Sequence, residues 1–380
     1  MIRLLSIQPV AERGGSDQAL LRLVRSLPPA DFDCHVAVPA PHPLAAEFAA
    51  AGATLHVVPM RRISTSNRAR DWVGYAAGWP LTVRRLRRLG RELAVDLVHS
   101  NSLHSWYGWA AARRLEVPHV WHAREIVVQS GAARRLERSL TRRYATRVFA
   151  VSNAVAAQLD PANVVVVRDD PDPADFAPMR AGRFRGRVGV GPTTPLVGAA
   201  GRIDTWKGIG VLLDAFPRVR AAVTDAELAV AGAPVRGKEQ YAADLARRAA
   251  ATPGVHWLGP RDDVPDLLAD LDVLVLPSTE PEPYGLILVE ALASGTPVVA
   301  TDQGGPREIV ARAAPGAGDL VPRGDADALA GAIIEHLRRA TDEGDRANRP
   351  RLLEPEPPRY AELLRDAVDR GSARPPSSRW

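Results

Sequence analysis

Cysteine occurs once in these 380 residues, at Cys34, so the chain cannot close a disulfide within itself and cannot build a cysteine-ligated metal site. Lysine is almost as scarce: Lys207 and Lys238 stand against 47 arginines, which makes each lysine a marked position. Aromatic residues make up 5% of the chain and are not interleaved with the basic runs, so no nucleic-acid partner is expected. Long apolar runs are missing too. The stretches 271–276 and 285–289 are broken by charge or proline far short of the roughly 20 residues that cross a bilayer. The first residues, Met1-Ile2-Arg3-Leu4-Leu5, run into a strand-like pattern without the charged leader, apolar core and small-residue cleavage site of a secretory signal. A soluble protein of the reducing cytoplasm is the expectation.

What is present is an ordinary globular composition, 46% hydrophobic and 24% charged, in a length that suits about two domains. Disorder and fibre are excluded. Charge is split unevenly: residues 1–170 hold 23 arginines against 14 acidic residues, net +9, whereas residues 171–380 hold 26 basic against 30 acidic residues, net −4.

Short β-branched or apolar runs at 2–7, 35–38, 55–58, 97–100, 119–122, 148–151 and 164–167 predict strands, with helical periodicity at 17–26, 44–51, 82–93 and 132–144 between them. The alternation resumes with strands at 196–200, 228–231, 255–258, 273–276, 298–300 and 320–321, and helices at 208–219, 239–250, 264–269, 286–294 and 325–338. Such alternation implies parallel sheets covered by helices on both faces, an α/β chain of two doubly wound domains. The proline- and glycine-rich stretch 171–195 has no period and reads as a linker between a first domain, 1–170, and a second, 196–350. A last helix at 358–370, within the segment 355–371, precedes a Pro-Ser tail expected to fray. Open α/β sheets bind ligands beyond the carboxyl ends of their strands, so two such domains facing each other would place a cleft between those ends.

Three strand-to-helix loops hold residues that can carry chemistry. In the first, Gly14-Gly15 lets backbone N–H groups approach a phosphate or sugar, with Ser16 as the expected helix cap; a plain tight turn is the alternative. The second runs Gly201-Arg202-Ile203-Asp204-Thr205-Trp206-Lys207-Gly208, where two cations five residues apart can converge on one diphosphate beside a helix N-terminus. Solvated surface cations are the plainer reading. The third, Pro277 to Glu290, sets Glu282 before a helix and Glu290 inside it, so that two carboxylates can accept hydrogen bonds from hydroxyls while the N–H groups between them face a phosphate. Otherwise Glu290 is a solvated side chain on the polar face of that helix. His122, at the end of a strand, is either structural or functional by the same reasoning.

Gly201-Arg202 through Lys207-Gly208, Pro277-Ser278, Glu282-Pro283-Tyr284-Gly285-Leu286, Glu290-Ala291-Leu292-Ala293-Ser294-Gly295-Thr296-Pro297 and Gly304-Gly305-Pro306-Arg307-Glu308 together resemble the retaining glycosyltransferases of family four, the group 1 enzymes, which have the GT-B fold. The likeness is close in the second half and loose in the first. It implies two Rossmann-like domains facing a cleft, and transfer of a sugar from a nucleotide diphosphate donor, UDP- or GDP-linked, to an acceptor hydroxyl on a small molecule, saccharide or lipid. By the resemblance Arg202 and Lys207 neutralise the donor diphosphate, Glu282 with Gly285, Leu286 and Ile287 holds the sugar, Glu290 binds the ribose, His122 lies near the donor sugar, and Gly14 and Gly15 lie near donor and acceptor. No cofactor and no metal are implied, and the last helix resembles the segment that crosses back to the first domain. One stretch departs from the family: Arg168-Asp169-Asp170-Pro171-Asp172-Pro173-Ala174-Asp175-Phe176 stands where an Asn-Gly-Val-Asp-like turn is usual.

The aspartate pairs Asp170/Asp172, Asp270/Asp272 and Asp325/Asp327 imitate a metal-binding DxD, but fall in the linker, at a helix-to-strand junction and at a helix start, where turns and caps explain them. The arginines of 84–91 and 134–143 suit an anionic acceptor or the inner membrane face; solvated helix faces are the alternative. A nucleotide-sugar epimerase or hydrolase of the same fold, or a non-catalytic nucleotide-sugar binding protein, would carry many of the same donor-site residues.

Overall fold

Every run read from the sequence as a strand becomes one. The computed structural model describes residues 1–12, 14–62, 69–128, 131–340, 346–356 and 358–372; the Pro-Ser tail lies outside them. They divide into unit 1, Met1–Asp169 with Pro358–Trp380, and unit 2, Asp170–Pro357. In unit 1 the strands are β1 Ile2–Ile7, β2 Phe32–Val38, β3 Ala53–Val57, β4 Leu97–Ser100, β5 His119–Ala123, β6 Arg147–Ala150 and β7 Val164–Val166. The helices before α7 are α1 Gly15–Ser26, α2 Ala45–Ala50, α3 Ala69–Glu92, α4 Tyr107–Leu115, α5 Gly131–Tyr144 and α6 Asn153–Ala156. Unit 2 has β8 Leu196–Ala200, β9 Glu227–Ala231, β10 Val255–Gly259, β11 Val273–Leu276, β12 Val298–Thr301 and β13 Gly318–Val321. Its helices are α7 Arg185–Val188, α8 Ile209–Ala222, α9 Glu239–Ala251, α10 Val264–Asp270, α11 Leu286–Ala293, α12 Pro306–Arg312 and α13 Ala326–Ala340; α14, Tyr360–Ser372, returns to unit 1.

Both sheets are parallel throughout, in the orders β3-β2-β1-β4-β5-β6-β7 and β10-β9-β8-β11-β12-β13. In each, the winding reverses between the first strand and its later neighbour, β1 against β4 and β8 against β11. The loops leaving those strands diverge there and leave room for a ligand. The period of two splits β1 between two cores. Leu4 joins Leu20, Leu23, Phe48 and the α14 residues Tyr360 and Leu364 on one face, while Leu5 and Ile7 join Tyr75, Leu86 and Tyr107 on the other. In unit 2, Leu212, Phe216, Leu245, Val275 and Ile333 form a single cluster.

The segment 171–195, expected as a linker, lies inside unit 2. Arg185, 4% exposed, is the reason: its guanidinium donates to the Asp270 carbonyl at 2.8 and 3.0 Å, the Asp272 carboxylate at 3.0 Å and the Gly191 and Thr194 carbonyls at 2.9 and 2.6 Å. Proline and glycine erased its period without loosening it. Helix α3 starts at Ala69, well before the expected 82, because residues 72–81 are apolar on every side and show no alternation. Among the described residues no helix is long and apolar enough to cross a membrane.

Candidate active site

Three loops meet beyond the carboxyl ends of β8, β11 and β12 in unit 2. The first passes Arg202 and forms a 3-10 turn at Thr205–Lys207. Asp204 caps this turn, its carboxylate accepting the Thr205 N–H at 2.7 Å and the Trp206 indole N–H at 3.0 Å. The indole so held lies under Lys207, whose Nζ is 4.3 Å from the ring centroid. The Trp206 carbonyl accepts the Thr279 N–H at 2.7 Å, tying the first loop to the second. Gly208 closes the contact: at φ +69°, a Cβ there would sit 1.8 Å from the Pro277 carbonyl oxygen, so only glycine fits.

In the second loop Glu282, 7% exposed, accepts from Lys207 Nζ at 2.6 Å and from Ser278 Oγ at 3.0 Å through the same Oε2. The third loop pins it from behind. Gly305 N–H donates to the Glu282 carbonyl at 2.8 Å, Gln303 Nε2 donates to the Ser278 carbonyl at 3.0 Å, and a Cβ on Gly304 would come within 2.2 Å of the Glu282 carbonyl oxygen. Gly285 then begins α11 with no side-chain cap, which leaves the first-turn N–H groups, those of Leu286 and Ile287 among them, without a capping side chain. Glu290 is half-buried one turn on. The structure thus brings Lys207 and Glu282, assigned separate tasks from the sequence, into one ion pair. Arg202 is exposed and lines the same depression as Lys207, with Leu276 and Pro277.

Tyr284 turns inward. Its hydroxyl donates to Asp170 and accepts from Arg312 Nη1 at 3.1 Å, while Arg312 Nη2 and the Glu356 N–H reach Asp170 Oδ2 at 2.7 and 2.8 Å. Burial and the Asp170 charge push the Tyr284 phenol upward, so it stays protonated as a donor. Within the acidic stretch 168–176, Asp170 therefore anchors the loop that carries Glu282.

Gly14, Gly15 and His122 belong to unit 1. Gly14 is the extended cap residue of α1, and Gly15 begins the helix with open space where a Cβ would stand. Ser16, expected as the cap, lies inside α1 because Gly14 already holds the cap conformation; its hydroxyl sits 3.4 Å from Gln8 Nε2 instead. His122 is fully buried against Phe149, Tyr360 and His99. Its Nδ1 accepts from Arg124 Nη2 at 3.2 Å, and Nε2 lies 3.8 Å from Asp169 Oδ1. Burial, then Arg124 and His99, push its pKa well below 6.5, so the ring is neutral.

Sequence reasoning passed over Arg124, on which this edge of unit 1 is organised. Its guanidinium binds Asp169 and donates to Asn101 Oδ1 at 2.9 Å. Asn101 donates to Gln8 Oε1 at 2.9 Å, Gln8 to Asp17 Oδ1 at 2.8 Å, and His42 Nε2 reaches the same oxygen at 2.9 Å. Tyr360 of α14 donates to Asp169. The signal was available: Arg124 and Asn101 are polar residues set directly after buried strands.

The DxD-like aspartates are engaged by protein. Asp270 accepts the Phe184 and Arg185 N–H groups at 2.7 and 3.0 Å, Asp272 is held by Arg185, Arg346 and Arg349, and Asp325 caps Asp327 and Ala328.

Residues 194–339 match the family model described as glycosyl transferases group 1, and residues 14–169 match the glycosyl transferase 4-like domain. The alpha-maltose-1-phosphate synthase of Mycolicibacterium smegmatis is 30% identical over 293 residues, 69% of this chain and 74% of that protein. The phosphatidyl-myo-inositol mannosyltransferase of Mycobacterium leprae is 38% identical over 134 residues, 35% of this chain. The chain spans 34% of that mannosyltransferase and 62% of the maltose-phosphate synthase of Mycobacterium tuberculosis. The crystal structure of Anabaena HepE with UDP and glucose shares the fold, with a TM-score of 0.76 over 98% of both chains at 21% identity. With both units matched by group 1 models and one relative covered over 74% of its length at 30% identity, the chain belongs to the group 1 glycosyltransferases of the GT-B fold.

Proposed function

We propose that this chain is a hexosyltransferase that moves a sugar from a UDP- or GDP-hexose to an acceptor hydroxyl, with retention at the anomeric carbon and without a metal ion. The observation that carries the reading is the Lys207 ammonium held 2.6 Å from Glu282 beside the uncapped start of α11. As the bond from the sugar C1 to the diphosphate oxygen breaks, its electron pair stays on the diphosphate. Lys207, Arg202 and the N–H groups of Leu286 and Ile287 would meet that charge. The acceptor oxygen bonds to C1 on the same face, and its proton passes to the departing phosphate oxygen. Glu282 would accept hydrogen bonds from sugar hydroxyls, and Glu290 from the ribose. Gly14 and Gly15 leave backbone room for donor and acceptor, and His122 would serve near the sugar as a neutral group. Because the aspartate pairs are engaged by arginines, caps and backbone N–H groups, cationic side chains rather than a metal are the source of positive charge in this reading. The similar proteins set the first donors and acceptors to try: a UDP-hexose, after the Anabaena HepE structure with UDP and glucose, and saccharide or lipid hydroxyls, after the phosphatidyl-myo-inositol mannosyltransferase. The net +9 of residues 1–170 suits an anionic acceptor or the anionic inner face of a membrane.

The test is donor turnover with and without acceptor, followed by proton NMR of the product. Expected are an α-anomeric product from an α-linked donor, no effect of EDTA, and a Lys207→Ala variant that loses about 100-fold or more in kcat with a smaller change in KM. Equal rates for wild type and variant contradict the proposal. Donor consumed equally without acceptor replaces it by an epimerase or hydrolase.

A further inference from the structure

The exposed face of helix α3 has two halves of different character. Residues 72–83 include no charged side chain, yet Trp72, Val73 and Leu81 are 41%, 69% and 50% exposed, and Ala76, Ala77 and Pro80 are exposed between them. The opposite face, with Tyr75, Val83 and Leu86, already supplies the core. From residue 84 the exposed face changes character: Arg84, Arg85, Arg88 and Arg91 are all solvent-facing, with Glu92 as the acidic neighbour of Arg88 at 3.3 Å. Behind the apolar half stand aromatic rings in series, Trp72 6.3 Å from Trp106 and Trp79 6.0 Å from Trp109. Four of the chain's eight tryptophans lie in this layer. Beside the basic half, Arg85 and Arg88 border an open groove of about 690 Å³ with Leu55, Val57 and Leu89 in its wall.

Exposed apolar side chains alone fit any apolar partner. Here they are continuous, on one helix, with a run of arginines and are backed by tryptophans, the combination that lies in the headgroup layer of a bilayer. We propose that α3 is the element by which this protein docks on an anionic phospholipid surface: Trp72, Val73 and Leu81 enter the acyl boundary, and Arg84, Arg85, Arg88 and Arg91 bind headgroup phosphates. The inference rests on the anionic-surface part of the function proposed above and names its contact. Docking is reversible, since the apolar half is too short to span and each arginine adds only about fivefold in affinity.

The test uses the whole chain with vesicles of phosphatidylcholine alone or mixed equally with phosphatidylglycerol. Wild type is expected to co-sediment with the anionic vesicles and to release as salt rises. Val73→Glu with Leu81→Glu, both at exposed positions, is expected to lose at least tenfold in vesicle affinity. So is the fourfold change of Arg84, Arg85, Arg88 and Arg91 to Gln. A polarity-sensitive dye on Val73→Cys reports insertion by a blue shift; Cys34 does not compete, because burial pushes its thiol up to about 12. UDP-hexose binding, read by thermal shift, should be intact in every variant. Equal sedimentation with neutral vesicles, undiminished binding by the Val73/Leu81 variant, or a wild-type dimer that this variant makes monomeric each overturns the proposal, the last assigning the face to a second copy. Vesicle binding without any nucleotide-sugar binding leaves the docking face standing and removes the transferase reading instead.

Discussion

Lowering the pH from 7 to 5 should destabilise unit 1 steeply, because it buries histidines that cannot take up a proton. His99 and His119 are each pushed from 6.5 down to about 3, chiefly by burial, and His122 moves in the same direction. The unfolded chain binds a proton at each near pH 6.5, whereas the folded unit does so only near 3. Stability contributed by these groups is therefore intact above 6.5 and is lost as pH falls toward 3. At pH 5 an unfolded histidine sits about 1.5 units below its pKa, worth ~2 kcal/mol, so His99 and His119 together cost ~4 kcal/mol before His122 is added. That is comparable with the whole stability of many domains, about 5–15 kcal/mol. His104 opposes the trend: burial lowers its pKa, but the hydrogen bond to Glu137 and the charges of Glu125 and Glu137 together raise it; buried Glu137 is raised too, whereas His56 is lowered along with His99, His119 and His122. Urea unfolding followed by tryptophan emission is the assay, as Trp72, Trp79, Trp106, Trp109 and Trp121 all lie in unit 1. The urea midpoint of this phase should fall sharply between pH 7 and 5, and His119→Gln should flatten the slope by about one proton. A midpoint that is constant or rises on acidification would refute the reasoning.

Other outcomes follow from unit 2. A double-mutant cycle of Lys207→Ala and Glu282→Ala should give a coupling of about 1–3 kcal/mol in urea unfolding, and values near zero would mean the pair is not held in solution. Arg312→Ala leaves the Asp170 carboxylate, fully buried, without its cation and should cost about 3 kcal/mol, with Tyr284→Phe costing less. Gly208→Ala sets a Cβ against the Pro277 carbonyl and should both destabilise unit 2 by about 2 kcal/mol or more and weaken nucleotide-sugar binding, whereas Gly182→Ala, also left-handed but with open space around it, should carry only the backbone cost.

Strands were legible because parallel sheets buried on both faces demand short β-branched runs, and Val273–Leu276 or Val298–Thr301 have few other uses. Most helices were legible because one face meets water, although α10 and α11 were read from the sequence with no exposed residue in either. α4, Tyr107–Leu115, went unread because Gly108, Ala110, Ala111 and Ala112 are all buried and give no alternation, and α12 because Gly304-Gly305-Pro306 looks like a turn although proline suits a first helical position. In the candidate site, Arg202, Lys207, Glu282 and Glu290 stood out as charges beside glycines at strand-to-helix junctions. That Lys207 pairs with Glu282 was not legible, because the pairing depends on Gly208 and Gly304 admitting close backbone approach across 75 residues of sequence. The same holds for Arg124, Asn101 and Gln8, which three different strands bring to one edge.

The central claim is that the loops around Lys207 and Glu282, with Glu290 behind them, receive a nucleotide diphosphate sugar. A thermal-shift panel of UDP- and GDP-hexoses against wild type and Glu290→Ala measures this directly, since a ligand bound only by the folded state raises its melting temperature by mass action. The account predicts that at least one donor stabilises wild type, with a rise of a few degrees at saturating concentration, and that the same donor leaves Glu290→Ala unshifted; equal shifts in both proteins, or none with any donor, would contradict it.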